Sequence, residues 1–90
     1  MKYFVWLKTN PAKTNATLKS LRNLRKKPYN GIHLYCTMNV FGDWDCGLWF
    51  DAKTHEQAIN FVHTKIHRLP GVTEAYVMPT SPIKEYGSWK

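Results

Sequence analysis

Residues 32–41 alternate between two faces. Ile32, Leu34, Cys36, Met38 and Val40 fall on one side, and His33, Tyr35, Thr37 and Asn39 on the other. Residues 45–52 alternate in the same way, with Cys46, Leu48, Phe50 and Ala52 opposite Asp45, Gly47, Trp49 and Asp51. A period of two is the mark of a half-buried strand, and the short Gly42-Asp43-Trp44-Asp45 loop between the runs makes them a β-hairpin. Residues 2–8 are apolar on both alternating faces (Tyr3, Val5 and Leu7; Phe4 and Trp6), which predicts a strand covered on both sides.

Two other stretches have helical spacing. Over 15–27, Leu18, Leu21 and Leu24 form an inward stripe and Lys19, Arg22 and Lys26 fall away from it. Pro28 and Asn30-Gly31 end that helix. Thr54 opens the second, where Thr54 and Gln57 fit a capping box with the Gln57 side chain reaching back. Ala58, Ile59, Val62, Ile66 and Leu69 make its buried stripe, and Pro70-Gly71 stops it. A last strand covers 72–78. The order βαββαβ predicts an α+β, ferredoxin-like unit, with two helices on one face of a four-stranded antiparallel sheet. The division expected is a domain over 1–78 and a surface tail over 79–90.

Such a sheet leaves one face bare. Tyr35, Trp49 and Tyr76 fall on it, and several exposed rings together exceed what a monomer usually tolerates. These three are therefore the expected dimer interface, with a second copy of the chain as its cover. The composition sharpens this expectation: 14% of the 90 residues are aromatic, including four Trp and five Tyr.

The net charge of +7 is uneven, because every residue before Asp43 is basic or neutral. Lys13, Lys19, Arg22, Arg25, Lys26 and Lys27 concentrate it over 13–27. A basic helix face is usually a solvated surface, but it also attracts nucleic acid or an acidic protein. No apolar run is longer than Tyr3–Leu7, so no membrane span or secretory core is expected and the chain reads as soluble and cytoplasmic. Cys36 and Cys46 show neither a CxxC nor a metal-ligand spacing and are expected to be reduced and buried. His63 and His67 stand four apart on a helix, with His55 as the nearest third ligand, too thin a set to predict a metal site.

Residues 42–72, "GDWDCGLWFDAKTHEQAINFVHTKIHRLPGV", resemble the effector-binding (RAM) domain of the Lrp/AsnC transcription regulators. The resemblance rests on two anchors at matching separation: the Gly42-Asp43-Trp44-Asp45 turn and Leu69-Pro70-Gly71-Val72 before the last strand. It implies a dimeric αβ barrel, assembled as a homodimer or further into an octameric ring. It implies an amino-acid effector held at the subunit interface by Gly42, Asp43, Trp44 and Asp45. An aspartate would take the ammonium group, amides near Gly42 the carboxylate, and Trp44 would wall the side chain. The family often carries two Thr in the last strand, near Ala75 and Val77 here; if those hydroxyls help hold the effector, this chain would bind a different ligand or none.

Strand one beginning at residue 2 leaves no room for the family's helix-turn-helix. The expectation is a stand-alone domain with no cofactor, no catalysis and no direct sequence-specific DNA binding. It would work alone or with full-length Lrp/AsnC regulators. Two alternatives stay open. One is a small dimeric αβ-barrel enzyme using Asn39, His33 and Tyr35. The other is an RNA-binding ferredoxin-like module, although 45–52 lacks the RNP1 pattern.

Overall fold

A computed structural model describes residues 1–87; residues 88–90 of the tail lie outside them. Strands β1 (Lys2–Thr9), β2 (Ile32–Asn39), β3 (Cys46–Ala52) and β4 (Val72–Thr80) form one antiparallel sheet in the order β2-β3-β1-β4. Helix α1 (Thr14–Arg22) follows a 3-10 turn at Pro11–Lys13, and α2 (His55–Phe61) continues into a π-helical segment, Val62–Ile66. The expected ferredoxin-like α+β architecture is the one observed.

Alternation in β1 decides where the core lies. Tyr3, Val5 and Leu7 face the helices with Leu48 and Phe50 of β3, and all five are fully buried. Leu21 of α1 and Ala58, Phe61, Val62 and Ile66 of the second helical segment close over them. Each large side chain buried here contributes roughly 1.5–3 kcal/mol. The Tyr3 hydroxyl keeps a partner by sharing a 3.1 Å hydrogen bond with His55 Nδ1, which also ties β1 to the start of α2.

The two helices depart from their sequence patterns. The reading of 15–27 as one helix is too long. Asn23 caps α1, and 24–31 run irregularly because the Leu34 N–H takes the Lys26 carbonyl at 2.7 Å. That bond lays the chain along β2 instead of continuing the helix, yet Leu24 still packs against the core. In the second helix, Thr54 Oγ1 does accept the Gln57 N–H at 3.1 Å. The reciprocal bond is not formed: the Gln57 carboxamide packs against Gly31, and its buried Oε1 has no partner among the described residues. Past Phe61 the backbone widens, where Val62, Thr64 and Ile66 are β-branched and Thr64 Oγ1 donates to the Asn60 carbonyl at 2.6 Å. Such back-bonding loosens a helical turn.

The second anchor of the sequence resemblance is a latch on α1. Thr17, with no solvent exposure, donates its hydroxyl to the Pro70 carbonyl at 2.6 Å, with the Lys13 carbonyl also within 3.1 Å. The Gly71 carbonyl accepts the Asn10 N–H at 2.7 Å. Gly71 has φ +84°, and a Cβ there would stand 2.2 Å from Thr17 Oγ1, so glycine is required both for conformation and for space.

Candidate functional site

Pairing register fixes the bare face. Phe4, Trp6 and Lys8 of β1 stand beside Trp49 and Gly47 of β3 and beside Met78, Tyr76 and Glu74 of β4. Phe4 is only 5% exposed although it lies on this outer face. Its ring sits edge-on between Trp6 (4.6 Å between centroids) and Trp49 (4.8 Å) and lies across Gly47. A Cβ on Gly47 would approach Phe4 Cζ to 2.4 Å, so a glycine inside a strand here marks the seat of a ring.

The β2 pattern needs correction. A bulge at Tyr35 shifts the register between Leu34 and Cys36. Ile32 and Leu34 point into the core as the alternation predicts. Beyond the bulge, Cys36 pairs with Trp49 and Met38 with Gly47, which puts both on the bare face. Thr37 and Asn39 turn to the helix side, and Val40 lies past the strand. One extra residue in a strand reverses every side chain after it. The bulge leaves Tyr35 on the bare face, with its ring 5.3 Å from that of His33 and Lys2 Nζ 5.3 Å from its centre.

All three expected interface residues therefore share the bare face. Tyr35 is at its β2 end, Trp49 near its middle, and Tyr76, 55% exposed, at its β4 side. His33 and Tyr35 are adjacent, but Asn39 stands on the opposite side of the sheet, so the three polar residues considered for catalysis do not form one ring.

The Gly42–Asp45 turn is tied to the end of β1. The Asp45 N–H reaches the Leu7 carbonyl at 2.9 Å, and its own carbonyl accepts the Val40 N–H at 3.1 Å. Asp45 Oδ2 accepts the Thr9 N–H at 2.9 Å and lies 3.4 Å from the Thr9 hydroxyl. Gly42 has φ +115° with open space around its missing Cβ, so the backbone rather than crowding demands it. Trp44 folds back onto the bare face, 6.4 Å from Trp6 and 6.3 Å from Tyr76, with Lys8 Nζ 5.3 Å from its ring centre. Phe41, 95% exposed, and Asp43 stand at the tip. The turn thus brings together its four expected residues in different conditions. Asp45 is engaged in structure, Trp44 is half-buried among rings, and Asp43 has no hydrogen-bond or ion-pair partner among the described residues.

Sequence reasoning did not find that Trp6, Trp44, Tyr76 and Lys8 form one cluster. The glycine at 47 and the double-sided apolar pattern of β1 were the available signals. Cys36 and Cys46 are free thiols on opposite faces of the sheet, and burial pushes both above the usual thiol range. Backbone bonding at Trp49 partly offsets this at Cys36, whereas the Asp45 charge adds to it at Cys46. The rings of His63 and His67 are 6.3 Å apart, and no three potential metal ligands cluster among the described residues. Among those residues no helix is long and apolar enough to cross a membrane.

No family model and no curated protein matches the chain by sequence. Solved structures do match by shape. FFRP-DM1 is 17% identical with a TM-score of 0.67, over 86% of this chain and 93% of that one. The hypothetical protein PHS023 from Pyrococcus horikoshii is 17% identical with a TM-score of 0.64, over 86% and 84%. The transcriptional regulator NMB0573 from Neisseria meningitidis, solved as a complex with L-Met, is 15% identical with a TM-score of 0.73. That match takes in 99% of this chain but 55% of the regulator, so this chain spans about half its length. At such identities the likeness establishes the fold alone, the ferredoxin-like α+β arrangement expected from the order of the elements.

Proposed function

We propose that this chain is a non-catalytic, small-molecule-sensing and assembly domain of the Lrp/AsnC RAM type. It pairs through its bare sheet face as a dimeric αβ barrel and takes an amino acid beside the Gly42–Asp45 turn. The observation that carries the reading is the continuous aromatic surface from Tyr35 and Trp49 through Phe4 and Trp6 to Trp44 and Tyr76. So much ring surface on one side of a small domain calls for a cover, and an identical face supplies the complementary shape. The shape match to a regulator complexed with L-Met supports an amino acid as the ligand class.

Asp43 is the residue assigned to the ammonium group, because Asp45 already holds Thr9. Trp44, braced by Trp6 and Tyr76, forms the pocket wall. In this reading the domain transmits ligand occupancy as a change in assembly, either by itself or through full-length Lrp/AsnC regulators. The test is light scattering after size exclusion, together with thermal melting, across a panel of amino acids. A dimer or larger oligomer whose melting point rises with one amino acid is expected. Trp49→Ala should shift it toward monomer, and Asp43→Asn should abolish the ligand effect while leaving assembly intact. A monodisperse monomer would sink the assembly claim, and an oligomer indifferent to every amino acid would sink the sensing claim.

A further inference from the structure

The charge on α1 plays no part in the bare face or the Gly42–Asp45 turn. Eight bases precede the first acid of the sequence, Asp43. Lys19, Arg22, Arg25, Lys26 and Lys27 are exposed and lie on α1 or the segment just after it. Among the described residues the ion pairs are Met1 N-terminus–Asp51 and Lys2–Glu85, so none of these five cations is neutralised. The fold then gathers three of them. The Leu34–Lys26 backbone bond holds 24–26 against the β2 edge. Arg22, Arg25 and Lys26 consequently line one groove of about 290 Å³, with Leu24 and Thr37 also on its walls and no acid among its lining residues.

We infer that this groove binds the phosphate backbone of nucleic acid without reading its sequence. Three cations around one concavity repel one another, and an anion seated between them relieves that repulsion. Two are guanidiniums, whose planar forks match phosphate oxygens two at a time. The unbroken run of one sign suits a polymer of repeated identical charge better than a folded protein surface of mixed sign. Leu24 and Thr37 line the groove from the helix side of β2 and Tyr35 and Cys36 from the other, so it wraps the β2 edge of the sheet, with the three cations on the helix side. The inference does not depend on the sensing role.

The test is fluorescence anisotropy of the full chain with a labelled DNA duplex and a labelled oligo-dT, each of about 20 nucleotides, across a salt series starting near 50 mM. Affinity should fall linearly on a log–log plot, by about 0.9 per phosphate contact for the duplex and about 0.7 for the single strand. The triple variant Arg22→Gln, Arg25→Gln, Lys26→Gln should lose about 2–3 of that slope. A control with equal charge loss elsewhere, Lys53→Gln, Lys65→Gln, Arg68→Gln, should lose less than about 1. Equal losses in the two variants would reduce the effect to net charge and overturn the proposal. So would an absence of binding at the lowest salt. Tighter binding of poly-glutamate than of either nucleic acid would assign the groove to an acidic protein and also overturn it.

Discussion

Replacing Gly71 by Ala tests whether the Leu69–Val72 anchor is a structural latch. Two costs are expected, and they are separable. The first is conformational. At φ +84° an alanine sits in the left-handed region, which costs about 1–2 kcal/mol. The second is steric. The new Cβ would lie 2.2 Å from Thr17 Oγ1 and 3.0 Å from Lys13 Cβ. Thr17 is fully buried and its hydroxyl is committed to Pro70, so it has no room to yield. Opening the gap means moving the turn away from α1, an overpacking cost of about 1–3 kcal/mol. The sum is roughly 2–5 kcal/mol, a large share of the total stability of a domain this size, on the order of 5–13 kcal/mol. With an unfolding entropy of about 190 cal/mol/K for ninety residues, each kcal/mol lowers the melting point by about 5 °C.

Urea unfolding of the wild type, Gly71→Ala, Thr17→Ala and the double variant provides the assay. Thr17→Ala alone should cost about 1–2 kcal/mol through its lost hydrogen bond. It also removes the atom that Gly71→Ala strikes. In that background Gly71→Ala should cost chiefly the left-handed φ, at least about 1 kcal/mol less than in the wild type. Additivity within about 0.5 kcal/mol would show that the two residues do not meet, and would refute the latch.

Two further outcomes follow from the geometry. Gly47→Ala should unseat Phe4 from between Trp6 and Trp49, cost about 1–3 kcal/mol and lower the oligomer fraction in light scattering; unchanged stability would mean that Phe4 does not lie across Gly47. Both thiols should alkylate more slowly at pH 8 than a free cysteine, because a raised pKa leaves less thiolate, with half-buried Cys36 reacting before buried Cys46. The same shifts mean that the unfolded chain loses these protons first. Stability should then fall as pH rises through the ordinary thiol range, and a flat alkaline profile, or a fall that persists unchanged in a Cys-free variant, would contradict this.

Local pattern carried most of the fold. The alternation of β1 and β3, Leu18 and Leu21 on the inner side of α1 and the Thr54 cap all appear in the structure where their spacing places them. What escaped was decided by contacts distant in sequence. The end of α1 depends on Leu34 capturing the Lys26 carbonyl, which no periodicity near 26 reveals. The bulge at Tyr35 is invisible in a sequence that alternates without interruption from Ile32 to Val40, because the extra residue is defined only against β3. The turn residues were legible as a group, but not their division of labour. That Asp45 serves Thr9 while Asp43 stays uncommitted depends on β1 ending beside the turn. The aromatic cluster likewise depends on the β1–β4 register that sets Trp6 opposite Tyr76.

The bulge has a consequence for how copies of this chain can join. A sheet has two borders, and either one, if straight, is a template on which another molecule's strand can polymerise. Here β2 is one border, and its irregularity at Tyr35 breaks the even spacing that an incoming strand would need. The other border, β4, carries Pro79, which has no N–H to offer. With both borders blunted, fibrous growth by strand addition is disfavoured. That leaves the flat of the sheet, where the proposed contact with a second copy would use up the surface and end growth.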